Sequence, residues 1–118
     1  TTGVFYWSES VNDTSDRSWF VWNGSWKKAQ YTSDLKAKTW YHILATYDNS
    51  NLKAYLNGNL ETYNSSVSGT LNAPIRQLSI GAKATGANFF PGKLDDVRIY
   101  NTALSSIEIK NIYNQDEE

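Results

Sequence analysis

The chain of 118 residues is long enough for one packed domain and too short for two with separate cores. Its net charge is −1 and its lysines are scattered, which argues against a nucleic-acid-binding surface. No apolar run approaches the roughly 20 residues that span a bilayer, so we expect no membrane insertion. The absence of cysteine excludes disulfides, thiolate zinc sites and a cysteine nucleophile. Methionine is also absent, and we expect an excerpt or processed product of a longer chain.

Short β-prone segments separated by turn signals begin the chain. The first predicted strand is Gly3–Ser8, and a polar loop follows it. Ser18–Trp22 and Ser25–Tyr31 are the next two strands, joined by Asn23-Gly24, a two-residue hairpin signal. Such a series of short strands is typical of a β-sandwich or barrel.

The same pattern continues through the middle of the chain. Thr39–Tyr47 carries apolar residues on both faces and is predicted to be a central strand. Leu52–Leu56 and Asn59–Tyr63 form a second hairpin around Asn57-Gly58. The last two predicted strands are Ile75–Ala82 and Leu94–Tyr100.

One helix is predicted, over Ala103–Asn114. Ser105 can cap it, and Glu108 three residues later completes a capping box. One face of this helix is apolar and can dock on a sheet edge; it consists of Ile109, Ile112 and Tyr113.

Two segments of the sequence resemble a known family. The stretch TWYHILATYDNSNLKAYLNG (Thr39–Gly58) resembles the W-x-H-[IV]-A-x-[TY]-[YF]-D … L-x-x-Y-[VL]-[DN]-G segment of laminin-G-like, concanavalin A-like jelly-roll domains. One position departs, because Leu44 stands where that pattern has alanine. The stretch FPGKLDDVRIYNTALSSIEIKNIY (Phe90–Tyr113) resembles the family's terminal segment. The resemblance implies an all-β, antiparallel jelly-roll-type β-sandwich with one short C-terminal helix.

The domain implied by this resemblance spans residues 1–115, and residues 116–118 form an acidic tail or linker. Family members usually begin with strands that have no counterpart here, because Thr1–Tyr31 resembles their middle strands. Missing strands would leave an apolar sheet face or an open edge. We therefore expect another copy of the chain, or another chain, to cover it.

The stretch KLDDVRIY contains two adjacent carboxylates. Strand alternation predicts that Asp95 points inward with Val97 and Ile99, and that Asp96 points outward and pairs with Arg98. An inward carboxylate needs backbone N–H donors or a cation. In related jelly rolls the matching aspartate can ligate calcium, so the resemblance implies calcium as the candidate cofactor and Asp95 as the candidate metal ligand. The alternative is a structural carboxylate with satisfied hydrogen bonds.

Catalytic residues are not apparent in the sequence. Jelly-roll glycosidases carry an E-x-D-x-x-E strand that supplies two close carboxylates, and the sequence contains no such triplet. His42 is the single histidine and matches a family position that is usually structural. We therefore expect a protein that is not an enzyme.

The aromatic residues are the remaining candidates for function. Trp22 and Trp26 flank the first hairpin turn, where they form either a platform for sugar rings or a cross-strand pair that holds the hairpin. These two residues and Tyr6 are the candidate ligand-binding residues. The resemblance implies a non-catalytic module that binds glycan or protein in a secreted or cell-surface protein. The alternative is a structural or assembly domain of a filament, fibre or adhesin without a small ligand.

Overall fold

The computed structural model describes residues 5–8, 17–71, 78–82, 86 and 89–116, which form two antiparallel sheets and one helix. The first sheet contains, in spatial order, β1 (Phe5–Ser8), β2 (Ser18–Trp22) and β3 (Trp26–Gln30). The second contains β4 (Ile43–Tyr47), β5 (Leu52–Leu56) and β6 (Asn59–Asn64). The helix α1 spans Ser106–Asp116.

This architecture confirms the predicted mainly β fold with one C-terminal helix, and it is consistent with a β-sandwich. The bounds of β2 and β5 agree with the sequence-based prediction, whereas β4 is shorter and begins at Ile43. Each sheet is a meander of consecutive strands within the described residues. The jelly-roll connection of the two sheets therefore stays a prediction.

The two hairpin turns predicted from Asn-Gly pairs differ in length. In the second hairpin Leu56 pairs with Asn59, which leaves Asn57 and Gly58 as a two-residue turn. Their φ angles of 49° and 81° are the positive values that a type I′ turn requires. In the first hairpin Trp22 pairs with Trp26, so the predicted two-residue turn is wrong and the loop has three residues.

Both sheets contribute to one core. Its buried residues are Val21, Ala29, Tyr31, Leu52, Ala54 and Val67. The residues that alternate with them on β2 and β3 point to the opposite face, as the period of a strand dictates. The first sheet therefore has one face in the core and one face that points away from it.

The Tyr31 side chain connects the two sheets inside this core. Trp19 Nε1 of β2 donates a hydrogen bond to the Tyr31 hydroxyl at 3.0 Å. That hydroxyl donates in turn to the backbone carbonyl of Tyr55 in β5 at 2.8 Å. Tyr31 is only 3% exposed, and this burial raises the pKa of its phenol. The neutral hydroxyl is therefore a permanent donor between the sheets.

The predicted cap of α1 by Ser105 is confirmed, and Glu108 contacts the Ser105 side chain. The Glu108 backbone N–H donates to Ser105 Oγ at 3.2 Å, and Ser105 Oγ donates to Glu108 Oε1 at 3.1 Å. The helix begins after this cap, at Ser106, and continues through Asp116, past its predicted end. On its apolar face, Ile109 is fully buried. Within the described residues, no helix is long and apolar enough to cross a membrane.

The prediction of a last strand over Leu94–Tyr100 is wrong, because the structure assigns no strand to these residues. Val97 and Ile99 are 54% and 72% exposed, so the prediction that they face the core is also wrong. Residues 78–82 of the preceding predicted strand are not a strand either, and residues 75–77 lie outside the described residues. The alternating pattern is present in both segments, but no strand of the described chain pairs with them.

Candidate functional site

The face of the first hairpin that points away from the core carries three large aromatic side chains. Phe20 and Trp22 lie on β2, and Trp26 lies on β3 directly opposite Trp22. The alternate residues Val21 and Ala29 are buried in the core. Strand alternation thus places the three rings together on the side of the sheet away from the core. We call Phe20, Trp22 and Trp26 the hairpin aromatic face.

Trp26 contacts the other two rings edge to face. The centroids of the Trp22 and Trp26 rings are 5.0 Å apart at an interplanar angle of 63°. The Phe20 and Trp26 centroids are 6.4 Å apart at 89°. Both distances fall in the range of favourable aromatic pairs. The predicted proximity of Trp22 and Trp26 is confirmed, and Trp26 still exposes 52% of its surface.

The third predicted ligand-binding residue, Tyr6, lies on β1. The pairing of β1 with β2 places the Tyr6 backbone opposite that of Phe20. The backbone register thus brings all three predicted residues, Tyr6, Trp22 and Trp26, to neighbouring positions of one sheet. A contribution of Tyr6 to ligand binding stays a prediction.

Two hydrogen bonds from distant residues hold the hairpin. Asn23 Nδ2 in the turn donates to the Ser68 carbonyl at 2.9 Å. Asn64 Nδ2 donates to the Lys28 carbonyl, also at 2.9 Å. Sequence analysis missed Asn64 and Ser68, because nothing in the local pattern indicates a contact between residues 36 and 45 positions apart.

The two acids of KLDDVRIY have different surroundings from those predicted for a strand. Asp95 is exposed, so its predicted inward orientation is wrong, and its Oδ1 accepts the Asp96 backbone N–H at 2.8 Å. The φ of Asp96 is 54°, a left-handed conformation that breaks strand alternation at this residue. The predicted pair is confirmed: Arg98 donates from Nε at 2.9 Å and from Nη2 at 2.8 Å to the two oxygens of Asp96. Both side chains are partly exposed, which makes the contribution of this pair to stability modest.

Calcium requires six to eight oxygen ligands. Among the described residues, no three acidic, histidine or cysteine side chains come together at a place that could hold a metal ion. Calcium binding at Asp95 stays a prediction.

His42 lies just before β4 in a structural environment. Its backbone N–H donates to Asn57 Oδ1 at 2.9 Å, and its carbonyl accepts the Asn57 N–H at the same distance. Its ring centroid lies 5.9 Å from that of Tyr113 in α1. These contacts fix the second hairpin turn and the docked helix, and they agree with the structural interpretation of this residue.

A solved S-layer domain-containing protein from Clostridium thermocellum ATCC 27405 superposes with a TM-score of 0.51 at 19% sequence identity. The match covers 95% of this chain and 63% of that chain, so this chain spans less than two thirds of its length. At this identity the likeness shows the fold alone. No curated protein matches the chain.

The family itself is shown by a sequence model. A laminin G model, described as the concanavalin A-like lectin/glucanases superfamily, matches residues 1–110. This match covers the β-strands and the start of α1, with the whole of Thr39–Gly58 and all but the last three residues of Phe90–Tyr113. The chain therefore belongs to the concanavalin A-like lectin/glucanases superfamily.

Proposed function

We propose that the chain is a non-catalytic recognition module whose hairpin aromatic face binds a glycan at the cell surface or outside the cell. The observation that carries this proposal is the edge-to-face pair of Trp22 and Trp26, in which Trp26 remains 52% exposed. An exposed indole offers a flat apolar surface on which a sugar ring can stack. Membership of a family that includes lectins, and the likeness to an S-layer domain-containing protein, support the surface location.

The non-catalytic part of the proposal rests on the residues of this chain, because the family contains both lectins and glucanases. A retaining glycosidase needs two carboxylates about 5 Å apart. The E-x-D-x-x-E triplet that supplies them in jelly-roll glycosidases does not occur in the sequence. We therefore expect glycan binding without hydrolysis.

A glycan array probed with the intact chain tests the proposal. We expect Trp22→Ala and Trp26→Ala each to weaken binding by about tenfold or more. Each substitution removes an indole ring that either stacks on the sugar or packs against the indole that does. Tyr63→Ala is the matched control, since Tyr63 is an exposed aromatic residue on β6 and outside the hairpin aromatic face. Melting temperatures of all variants separate loss of binding from loss of folding. Glycan binding that survives both tryptophan substitutions would contradict the proposal.

Calcium is a separate part of the proposal. If Asp95 ligates calcium, the ion binds the folded chain and raises its melting temperature. We expect this rise to disappear in Asp95→Asn and to persist in Asp48→Asn, a control carboxylate in the turn between β4 and β5. An unchanged melting temperature of the native chain in millimolar calcium would eliminate the metal site.

One observation favours a second candidate function, that of an assembly domain. Large apolar residues are exposed along residues 89–104 and on the helix that follows; they include Phe89, Leu94, Val97, Ile99 and Ile107. Contiguous exposed apolar surface is typical of protein–protein contacts. Higher-order assembly together with an empty glycan array would favour this function over glycan recognition.

A further inference from the structure

A cavity of about 500 Å³ lies where the segment before β4 meets the segment that follows Phe89. Its walls include Lys38 and Trp40 on one side and Phe90 and Lys93 on the other. It shares no residue with the hairpin aromatic face. Its volume falls in the range of pockets that hold small ligands, roughly 300–1,000 Å³.

The backbone holds Phe90, one of the two aromatic residues of the cavity, in place. The Phe90 N–H donates to the Gly81 carbonyl at 2.7 Å. A Cβ atom at Gly92 would lie 2.9 Å from the Phe90 ring, so glycine at this position lets the ring pack on the backbone. Trp40 is 65% exposed and offers a flat apolar surface at the mouth of the cavity.

Both charged side chains of the cavity are cationic. Lys38 and Lys93 line it, and no carboxylate is found among its described lining residues. The φ of Lys38 is 59°, a left-handed conformation that is uncommon for lysine and occurs most often where surrounding structure or function requires it. Two ammonium groups in one pocket favour an anionic ligand.

We infer that this cavity binds a sugar unit that carries a carboxylate, such as a uronic acid. Lys38 and Lys93 attract the carboxylate, and Trp40 covers the apolar face of the sugar ring. An acidic peptide would satisfy the lysines, but its carboxylates sit on flexible stems and leave the Trp40 surface uncovered. The cavity is thus a second binding surface, independent of the one proposed on the hairpin.

Calorimetric titration of the intact chain with a trimer of galacturonic acid, and with the matching neutral galactose trimer, tests this inference. We expect the acidic trimer to bind about tenfold more tightly, and its affinity to fall as sodium chloride is raised, because salt screens the lysines. Equal affinity for the two trimers, or no binding of either, would overturn the inference. So would tighter binding of a glutamate-rich peptide than of the acidic trimer.

Three variants assign the binding to the cavity. We expect the double variant Lys38→Gln, Lys93→Gln to lose the preference for the acidic trimer, and Trp40→Ala to lose affinity for it. Lys36→Gln is the control for loss of a nearby positive charge, since Lys36 is exposed in the same segment and outside the cavity. The lysine substitutions alter exposed side chains, so they test the site even if Trp40→Ala fails to fold. An unchanged preference in the double variant would contradict the assignment.

Trp26→Ala separates this inference from the function proposed for the hairpin, because it lowers only the glycan affinity that comes from the hairpin aromatic face. We expect the preference for the acidic over the neutral trimer to persist in this variant, because Lys38 and Lys93 line the cavity and Trp26 does not. A preference that disappears in Trp26→Ala and persists in the double variant Lys38→Gln, Lys93→Gln would place the site on the hairpin and overturn the inference. The hairpin proposal would remain intact in that case.

Discussion

A single hydroxyl group, that of Tyr31, joins the two sheets at the centre of the core. Tyr31→Phe keeps the ring and removes this group, so Trp19 and the Tyr55 carbonyl each lose a buried hydrogen-bond partner. We expect the free energy of unfolding to fall by about 1–3 kcal/mol, measured by urea denaturation. The control is Tyr63→Phe, at an exposed position. A Tyr31→Phe value within about 0.5 kcal/mol of the native chain would show that the hydroxyl does not stabilise the fold.

Glu61 of β6 is a second residue that takes part in several hydrogen bonds. Its Oε1 accepts the Ser33 N–H at 2.6 Å, the Thr32 hydroxyl at 2.9 Å and the Thr32 N–H at 3.2 Å. Partial burial by itself would raise the pKa of Glu61, but the hydrogen bonds from Ser33 and Thr32 outweigh it and lower the pKa below the usual 4.5. The charged form thus ties the segment after β3 to the second sheet.

The lowered pKa of Glu61 has a consequence for stability in acid. Because the folded-state pKa lies below the unfolded value, the contribution is complete above pH 4.5 and is lost as the pH falls through the folded-state pKa. We expect Glu61→Gln to lower the free energy of unfolding by about 1 kcal/mol at neutral pH. We also expect the free energy of unfolding of this variant to fall less steeply as the pH is lowered. Urea denaturation from neutral to acidic pH measures both effects. An unchanged acid decline in Glu61→Gln would contradict this account.

The pKa of a second carboxyl, Asp48, is also lowered, by hydrogen bonds from the backbone N–H groups of Asn51 and Ser50. Asp48→Asn is therefore the comparison for Glu61→Gln. Both variants should flatten the acid decline, but only Glu61→Gln should release the segment after β3. Chemical shift changes at Thr32 and Ser33, confined to Glu61→Gln, would distinguish the two.

At the scale of elements, the second hairpin turn and α1 depend on each other. Gly58 has a φ of 81°, and a Cβ atom there would lie 3.1–3.3 Å from three atoms of Tyr113. Gly58→Ala thus adds backbone strain and a close contact with the helix. We expect it to be at least about 1 kcal/mol less stable than Gly69→Ala, which has a similar φ of 91° and nothing within 4 Å of the added Cβ. Equal stability of the two variants would exclude a role for the helix contact.

Most elements with local signals were predicted well from the sequence, although the turn at Asn23-Gly24 was predicted one residue too short. Asn57-Gly58 sets its own turn geometry, and Ser105 caps its own helix. The strand predicted over Leu94–Tyr100 does not form, because alternation of apolar and polar residues gives a strand only when another strand pairs with the segment. The left-handed φ of Asp96 carries no signal in the residue pattern, and so the orientation of Asp95 could not be obtained from it.

The candidate sites show the same difference between features that have a local signal in the sequence and features that do not. The proximity of Trp22 and Trp26 follows from a hairpin and was predicted. The cavity beside Trp40 joins segments some 50 residues apart, and no local pattern indicates that Lys38 and Lys93 line one space. A site formed by distant residues depends on tertiary packing, which a single sequence does not specify residue by residue.

At the scale of the whole molecule, we expect another copy of the chain to cover the exposed apolar surface around Val97 and Ile99. Val97 and Ile99 are exposed, and a net charge of −1 gives little repulsion between copies. We expect sedimentation velocity to show self-association that increases with concentration. The double variant Val97→Ser, Ile99→Ser should shift the chain towards monomer, whereas Thr102→Ser, an exposed polar change in the same segment, should not.

A strictly monomeric native chain at all concentrations would rule out this self-association. The glycan experiments would be unaffected, because the hairpin aromatic face contains none of the substituted residues. Loss of glycan binding in Val97→Ser, Ile99→Ser would instead show that assembly is needed for recognition.

The hydrogen bond from Asn23 to Ser68 has a consequence for the strength of glycan binding. A hairpin loop with no such anchor would lose rotational freedom when a sugar settled on Trp22 and Trp26, and the lost entropy would oppose binding. Here the Ser68 carbonyl already immobilises the turn in the free chain. Asn23→Ala, which leaves all three rings of the hairpin aromatic face in place, should therefore weaken glycan affinity through a less favourable binding entropy while the binding enthalpy stays the same.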